Sequence, residues 1–245
     1  MRRFLRTRKT KTPERRGGGR RRLHGPTFDI ERELLDQGYR RIVGVDEVGR
    51  GALAGPLYLG MVMFSPDTIA RPPEDLLSSV DDSKKLGHRA RLAALEHIRG
   101  SASCLYASGV SHRTVDRLNI NGATEFLLCR MLGHLPEPPD VVIMDGRFAF
   151  SPGLRFISIK KGDSISISIA SASIAAKIYR DRILDKFDLI YPGYGLKKNK
   201  GYGTLEHRES IVRMGPSPVH RRSYAPLRDL DRKSTRLNSS HTIQS

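Results

Sequence analysis

The chemistry this chain could perform is concentrated first in Asp46 and Glu47, which follow the apolar run Ile42-Val43-Gly44-Val45 and precede Val48-Gly49-Arg50-Gly51. Ile42, Val43 and Val45 read as a short buried strand with two carboxylates at its end. Carboxylates at the exit of a buried strand are costly unless a cation or hydrogen bonds compensate them, because desolvated like charges raise each other's pKa. The plain alternative is an acidic turn in solvent. The glycines beside Arg50 weigh against it. Gly49 and Gly51 let a backbone approach a ligand closely and expose its N–H groups, and a guanidinium can hold a phosphate in bidentate geometry. Carboxylates suited to hard cations therefore stand beside a loop suited to a phosphodiester.

Two further acids stand at element ends. Asp145 closes the apolar run Val141–Met144 and precedes Gly146, which alone reads as a turn. Asp163 precedes a segment rich in Ser, Ala and Ile, where its bland role is to cap a helix. In an α/β sheet, side chains at the carboxyl ends of neighbouring strands converge on one crevice. The elements that would bring them there alternate along the chain. The pattern predicts a helix over Thr27 to Gln37, a strand from Arg41, a strand over Leu57 to Phe64, and a helix over His88 to Arg99. A strand then covers Ser103 to Val110, and helices cover Ser111 to Leu118 and Ala123 to Leu132. Strands at Val141–Met144 and Arg155 to Ile159 and a long helix from Ser164 to Phe187 follow. Residues 65–87, with Pro66, Pro72 and Pro73, read as irregular. This is an α/β chain with one central mixed sheet flanked by helices and a helical C-terminal segment.

The block Gly44-Val45-Asp46-Glu47-Val48-Gly49-Arg50-Gly51, continued by Leu53-Ala54-Gly55-Pro56, resembles the opening signature of ribonuclease HII, which cuts the RNA strand of RNA/DNA hybrids. Other blocks match in the family's order: Asp82-Ser83-Lys84-Lys85-Leu86, Asp145-Gly146, Lys161-Gly162-Asp163 with the Ile-Ala-x-Ala-Ser-Ile run behind it, Asn199-Lys200-Gly201-Tyr202-Gly203-Thr204, and His220-Arg221-Arg222-Ser223-Tyr224. The resemblance covers roughly Gly44 to Leu227 and implies a ribonuclease H-like fold. It also implies that Asp46, Glu47, Asp145 and Asp163 are catalytic and hold two Mg²⁺ or Mn²⁺ ions, with Lys84 approaching the phosphate or the attacking water. Gly49, Arg50, Gly51 and Tyr202 would recognise a ribonucleotide 2′-OH where RNA meets DNA, with Lys200 and Arg222 contacting the substrate. The products would carry 5′-phosphate and 3′-hydroxyl ends. Ribonuclease HIII typically has Thr at the Arg50 match and an additional N-terminal domain, so Arg50 argues against it. Lys177, Arg180 and Asp181 are expected to support the helix or the groove. Gly87 stands where the family usually places a hydroxyl cap. Hard oxygen donors without a Cys/His cluster argue for Mg²⁺ or Mn²⁺ over zinc. One difficulty is geometric: consecutive residues of a strand face opposite sides, so Asp46 and Glu47 share a site only if the strand bends or ends there. The competing reading from another class is a hybrid-binding protein without catalysis.

Net charge is +17, an imbalance that suits an anionic partner such as a nucleic acid. It is unevenly spread, since residues 1–25 carry eleven Arg/Lys against one Glu. That arm lacks the apolar residues needed to bury a core and is expected to be a disordered tail; residues 26–230 are expected to be the catalytic domain. Residues 231–245 read as a translated adapter and are set aside. Cys104 and Cys129 suit buried thiols in a reducing compartment. With no apolar run long enough to cross a bilayer, we expect a monomeric cytoplasmic protein that does not contact membranes.

Overall fold

A computed structural model describes residues 25–148 and 153–228. Apart from Gly25, the expectations for the basic arm and the C-terminal tail lie outside these residues. In chain order the elements are α1 (Asp29–Asp36), β1 (Ile42–Val48), β2 (Leu57–Phe64), α2 (Pro66–Ala70), α3 (Glu74–Ser79), α4 (His88–Ser101), β3 (Ala102–Val110), α5 (His112–Leu132), β4 (Val141–Asp145), β5 (Arg155–Ile159), α6 (Ile167–Ile190), α7 (Leu196–Asn199) and α8 (Leu205–Met214). The strands form one mixed sheet in the order β3-β2-β1-β4-β5, with β1 antiparallel to β2 and parallel to β4. Helices cover both faces, as period-2 alternation in the strands requires. Ile42, Val62, Val141 and Ile143 pack under α4 and α6, while Val43, Val45, Met61 and Met144 pack under α5. No helix among the described residues is long and apolar enough to cross a membrane.

Helix α6 lies unusually close to the sheet. A Cβ at Gly44 would fall 2.4 Å from the Ser168 carbonyl carbon, and one at Gly60 would fall 1.9 Å from the Ala172 oxygen. Gly60 is the register partner of Asp46, so this close contact fixes the helix directly beside the first carboxylate. At its start α6 is anchored by Ser166, whose side chain accepts from Ile169 N–H.

Four boundaries differ from the sequence expectation. The strand β1 does not end at the carboxylates but runs through them to Val48, because β2 continues to pair with it up to Val48↔Tyr58. Asp163 does not cap α6; it sits in a buried 3₁₀ turn over Gly162–Ser164, entered through Lys161 at φ 59°. The proline-rich stretch 65–87 contains the short helices α2 and α3, with Ser65 capping α2 through Thr68 N–H. The two segments predicted around residue 120 form one kinked α5. Its break is at Asn119, whose side chain accepts from the N–H groups of Asn121 and Gly122. Gly87 is the N-cap of α4 and makes no side-chain cap bond, as its lack of a hydroxyl dictates. Cys104 is half-buried and Cys129 is exposed, which corrects the expectation of two buried thiols.

Candidate active site

The parallel pairing of β1 with β4 stops at Val45↔Met144, while each strand goes on to carry an acid. Where the two strands part, a cleft of about 450 Å³ opens at their carboxyl ends. It is lined by Asp46, Glu47, Asp145, Lys84, the Gly49-Arg50-Gly51 loop and Tyr202, together with Ser83, Ser173 and Lys177. Asp46 and Glu47 do point to opposite faces of the sheet, yet both reach this cleft. Asp46 turns toward Ser173 of α6, and its Oδ1 accepts from Glu47 N–H at 2.7 Å. Glu47 turns toward α5, where Thr124 Oγ1 donates to it at 3.3 Å and Arg50 approaches both of its oxygens at 3.4 Å.

Burial sets the electrostatics. Asp46 is 5 % exposed. Desolvation, reinforced by the charges of Asp145 and Asp163, pushes its carboxyl up to about 8 against the hydrogen bonds from Ser173 and Glu47. Glu47 and Asp145 are also raised, again chiefly by desolvation. Asp145 is oriented by Gly162 N–H, which donates to its Oδ1 at 2.7 Å. Asp163 does not line the cleft itself. Its Oδ2 accepts from Lys84 Nζ at 2.8 Å, so the fourth carboxylate already holds a cation. Burial lowers the Lys84 ammonium, but Asp163, Asp82 and Asp46 more than offset this and leave it raised. Among the described residues no three acids, histidines or cysteines are already drawn together as a metal-holding group. The four expected ligands therefore stand as three in the cleft and one beside it, bridged by Lys84.

Two residues expected to touch substrate do not line the cleft. Lys200 Nζ is engaged by Asp185, and Arg222 lies on an outer turn whose backbone N–H donates to Asp116. Sequence reading missed the groups that hold the site: Ser173 and Thr124 on the carboxylates, and Asn121, which accepts from Arg50 Nη2. The one available signal was the Asn119-Ile120-Asn121-Gly122 turn chemistry inside a helical pattern. Arg50 is further fixed over the Phe148 ring, 5.5 Å from its centroid.

Tyr202 is held from beneath by a buried histidine pair. His207 Nδ1 lies 2.8 Å from Tyr202 O and must donate to it, so its Nε2 accepts from His220 Nε2 at 3.1 Å. The Nδ1 of His220 then accepts from Ser217 N–H. Every link requires neutral rings, and burial pulls His220 down to about 4. Because the folded pKa lies below the ordinary value of 6.5, this pair's stabilisation is complete above pH 6.5 and is lost as pH falls toward 4. Between pH 7 and pH 4.5 the chain should lose about 2–3 kcal/mol at His220, measured by urea denaturation. The slope should flatten in His220→Asn. An unchanged slope would mean that His220 does not titrate in this way.

An α/β sheet whose parting strands deliver carboxylates to a cleft beside a glycine-flanked arginine defines a phosphodiester hydrolase of the ribonuclease H-like fold. Solved structures agree on the fold: ribonuclease H2 from Pyrococcus horikoshii OT3 superposes with a TM-score of 0.64 at 23% identity, covering 79% of this chain and 98% of that one. Bst-RNase HIII in complex with Mn²⁺ superposes at 0.57 and 19% identity, covering 81% and 71%. The family model of ribonuclease HII matches residues 43–227, and the ribonuclease HII of Synechococcus sp. (strain JA-3-3Ab) is 43% identical over 213 residues, 87% of this chain and 94% of its own length. The chain belongs to the ribonuclease HII family. Its activity is accordingly that of an endonuclease acting on RNA paired with DNA.

Proposed function

We propose that this endonuclease cuts both RNA/DNA hybrids and duplex DNA containing single ribonucleotides, using Asp46, Glu47, Asp145 and Asp163 to hold two divalent cations. The observation that carries this reading is the cleft itself, in which three buried-to-half-buried carboxylates share one wall with the Gly49–Gly51 loop. The donor set fits hard cations. All four donors are carboxylates, Asp46 is too desolvated to hold its charge alone, and the Lys84 ammonium already stands in as a cation on Asp163. When bound, Mg²⁺ or Mn²⁺ supplies Lewis-acid charge at the scissile phosphate and at its leaving 3′-oxygen.

The chain's own residues do the rest. Asp46 must release its proton before it can serve as a ligand. Thr124 and Arg50 fix Glu47, and Gly162 N–H fixes Asp145. Lys84, three-quarters exposed at its side chain, can leave Asp163 for a substrate phosphate without breaking any packing. Arg50 and the flanking glycines receive the sugar-phosphate around the 2′-OH, and Tyr202, 38% exposed at the cleft edge, packs on the following sugar. Since neither Lys200 nor Arg222 lines the cleft, they support the groove's margin rather than its floor.

The test is incubation of a DNA duplex carrying one ribonucleotide with Mg²⁺ or Mn²⁺. The chain should cut it, and Asp163→Asn should slow cutting by about 10²-fold or more, the usual order for removing a preorganised electrostatic group. Equal cutting by the variant would remove Asp163 from the site. No cutting by either, with binding intact, would favour a binding module.

A further inference from the structure

Arg180 and Arg221 are the two largest fully buried side chains of the described residues, each 0% exposed. A guanidinium keeps its charge when buried, and such a charge is normally paired with a carboxylate. Here neither is: among the described residues no ion pair includes Arg180 or Arg221. The acids closest to them electrostatically are committed elsewhere. Asp181 accepts from Lys177 at 2.7 Å, and Asp116 accepts from Arg222 and Ser223 backbone N–H groups.

Their donors go instead to backbone carbonyls and, for Arg221, also to the Tyr224 hydroxyl at 3.3 Å. Arg180 donates to Pro56 O at 3.0 Å, Lys200 O at 2.8 Å and Ala54 O at 3.3 Å. Arg221 donates to Gly55 O at 3.2 Å and Arg50 O at 2.9 Å, and its Nη2 has no acceptor. Arg180 also lies 5.5 Å from the Tyr202 ring centroid, and Gly49 passes so close that a Cβ there would meet Arg180 Nε at 2.2 Å. Gly49 makes this approach at φ 89°, a conformation only glycine adopts without strain. The two cations thus turn the carbonyls of the 50–56 loop inward and tie that loop to the Tyr202 turn. The N–H groups of Arg50 and Gly51 donate to no acceptor among the described residues. A loop whose carbonyls are drawn to two buried cations, and whose Arg50 and Gly51 N–H groups are not claimed within the described residues, is suited to receive an anion.

We propose that Arg180 and Arg221 are positioning residues for the substrate backbone, their unpaired buried charge being met by a phosphate of the RNA/DNA duplex docked on Arg50 and Gly51. The proposal rests on the site reading given under Proposed function and adds to it a source of affinity that touches no substrate atom. It requires that charge, and not merely the hydrogen-bonding fork, matters at both positions.

The experiment measures kcat and KM on an RNA/DNA hybrid for the full chain and for Arg180→Lys, Arg180→Gln, Arg221→Lys and Arg221→Gln. Lys keeps the charge and loses the fork; Gln keeps an amide donor and loses the charge. The Gln variants should raise KM by about tenfold or more with kcat within about threefold, while the Lys variants stay within about threefold in both. Equal KM increases for Lys and Gln would reduce the two residues to a structural role and overturn the proposal. So would wild-type KM in the Gln variants. Should the Gln variants fail to fold, the all-DNA duplex of the same length becomes the probe: it should raise the melting temperature of the Lys variants as much as that of the wild type, and a smaller rise in the Lys variants would overturn the proposal. Absence of cleavage by the wild type would instead remove the underlying site reading.

Discussion

Asp46→Asn should slow cleavage by about 10²-fold or more and at the same time raise the melting temperature of the metal-free protein. Asp46 is buried, and desolvation raises its carboxyl to about 8. The folded chain therefore keeps a proton there that the unfolded chain releases above about pH 4. As a group with a raised acidic pKa, it contributes instability that grows as pH climbs from 3.8 to about 8 and then levels off. At pH 7 the full shift would correspond to about 4 kcal/mol for an isolated group. Asp46 shares its field with Asp145 and Asp163, and a buried amide has its own hydrogen-bonding needs, so the expected gain is about 2–4 kcal/mol. For a chain of this length that is roughly 5–15 °C. The gain should be small at pH 5, largest near pH 8, and should narrow when Mg²⁺ or Mn²⁺ is added, because the wild type alone then gains ligand-linked stability. Cleavage should fall by about 10²-fold or more. Thermal melts in chelator at pH 5 and pH 8, with turnover assays beside them, decide the matter. A variant less stable than the wild type at pH 8 would mean that the contacts of Asp46 more than compensate the burial of its carboxyl.

The sheet and its helices were legible in the chain because the inner strands β1, β2 and β4 are runs rich in Val, Ile, Leu and Met, and both halves of α5 repeat at the helical period. The site was legible for a different reason. Asp46, Glu47 and Asp145 directly follow apolar strand runs, and the parting of β1 and β4 after Val45↔Met144 turns that position into a cleft. What sequence could not supply was long-range pairing. Lys200 looked like a substrate contact beside Tyr202 but is drawn to Asp185, and the backbone at Arg222 is fixed by Asp116, more than a hundred residues away. The same holds for Thr124 and Asn121, which reach Glu47 and Arg50 only because the kink at Asn119 re-aims the second half of α5. Local rules misplaced boundaries where tertiary contacts overrode them. Asp163 would make a good cap in isolation, yet Ser166 caps α6, with Glu31 accepting from the Ser166 hydroxyl and the Ser168 N–H. Displaced from capping, Asp163 is left for Lys84 beside the cleft.

Gly60→Ala should destabilise the chain by about 3 kcal/mol or more and disable the site, although it deletes no chemical group. The added methyl would sit 1.9 Å from the Ala172 oxygen and 2.6 Å from its carbonyl carbon. These are backbone atoms of a 24-residue helix, so no side chain can rotate to make room. Either α6 lifts from β2 or the strand bows away. Ser173, the next residue of that helix, hydrogen-bonds Asp46, and Asp46 is the register partner of Gly60. Displacement therefore acts directly on the carboxylate. A shift of about 1 Å in a catalytic constellation can cost about 10²-fold in rate. The control is the same chemical change where space exists: Gly100 lies inside α4 with nothing within 4 Å of its Cβ position. Gly100→Ala should stabilise by about 0.5–1 kcal/mol through helix propensity and leave turnover unchanged. Urea denaturation and hybrid cleavage of both variants give the comparison. Equal and small effects at Gly60 and Gly100 would show that α6 is free to yield, and the close seating of the small-residue helix would then not be what holds Asp46 in place.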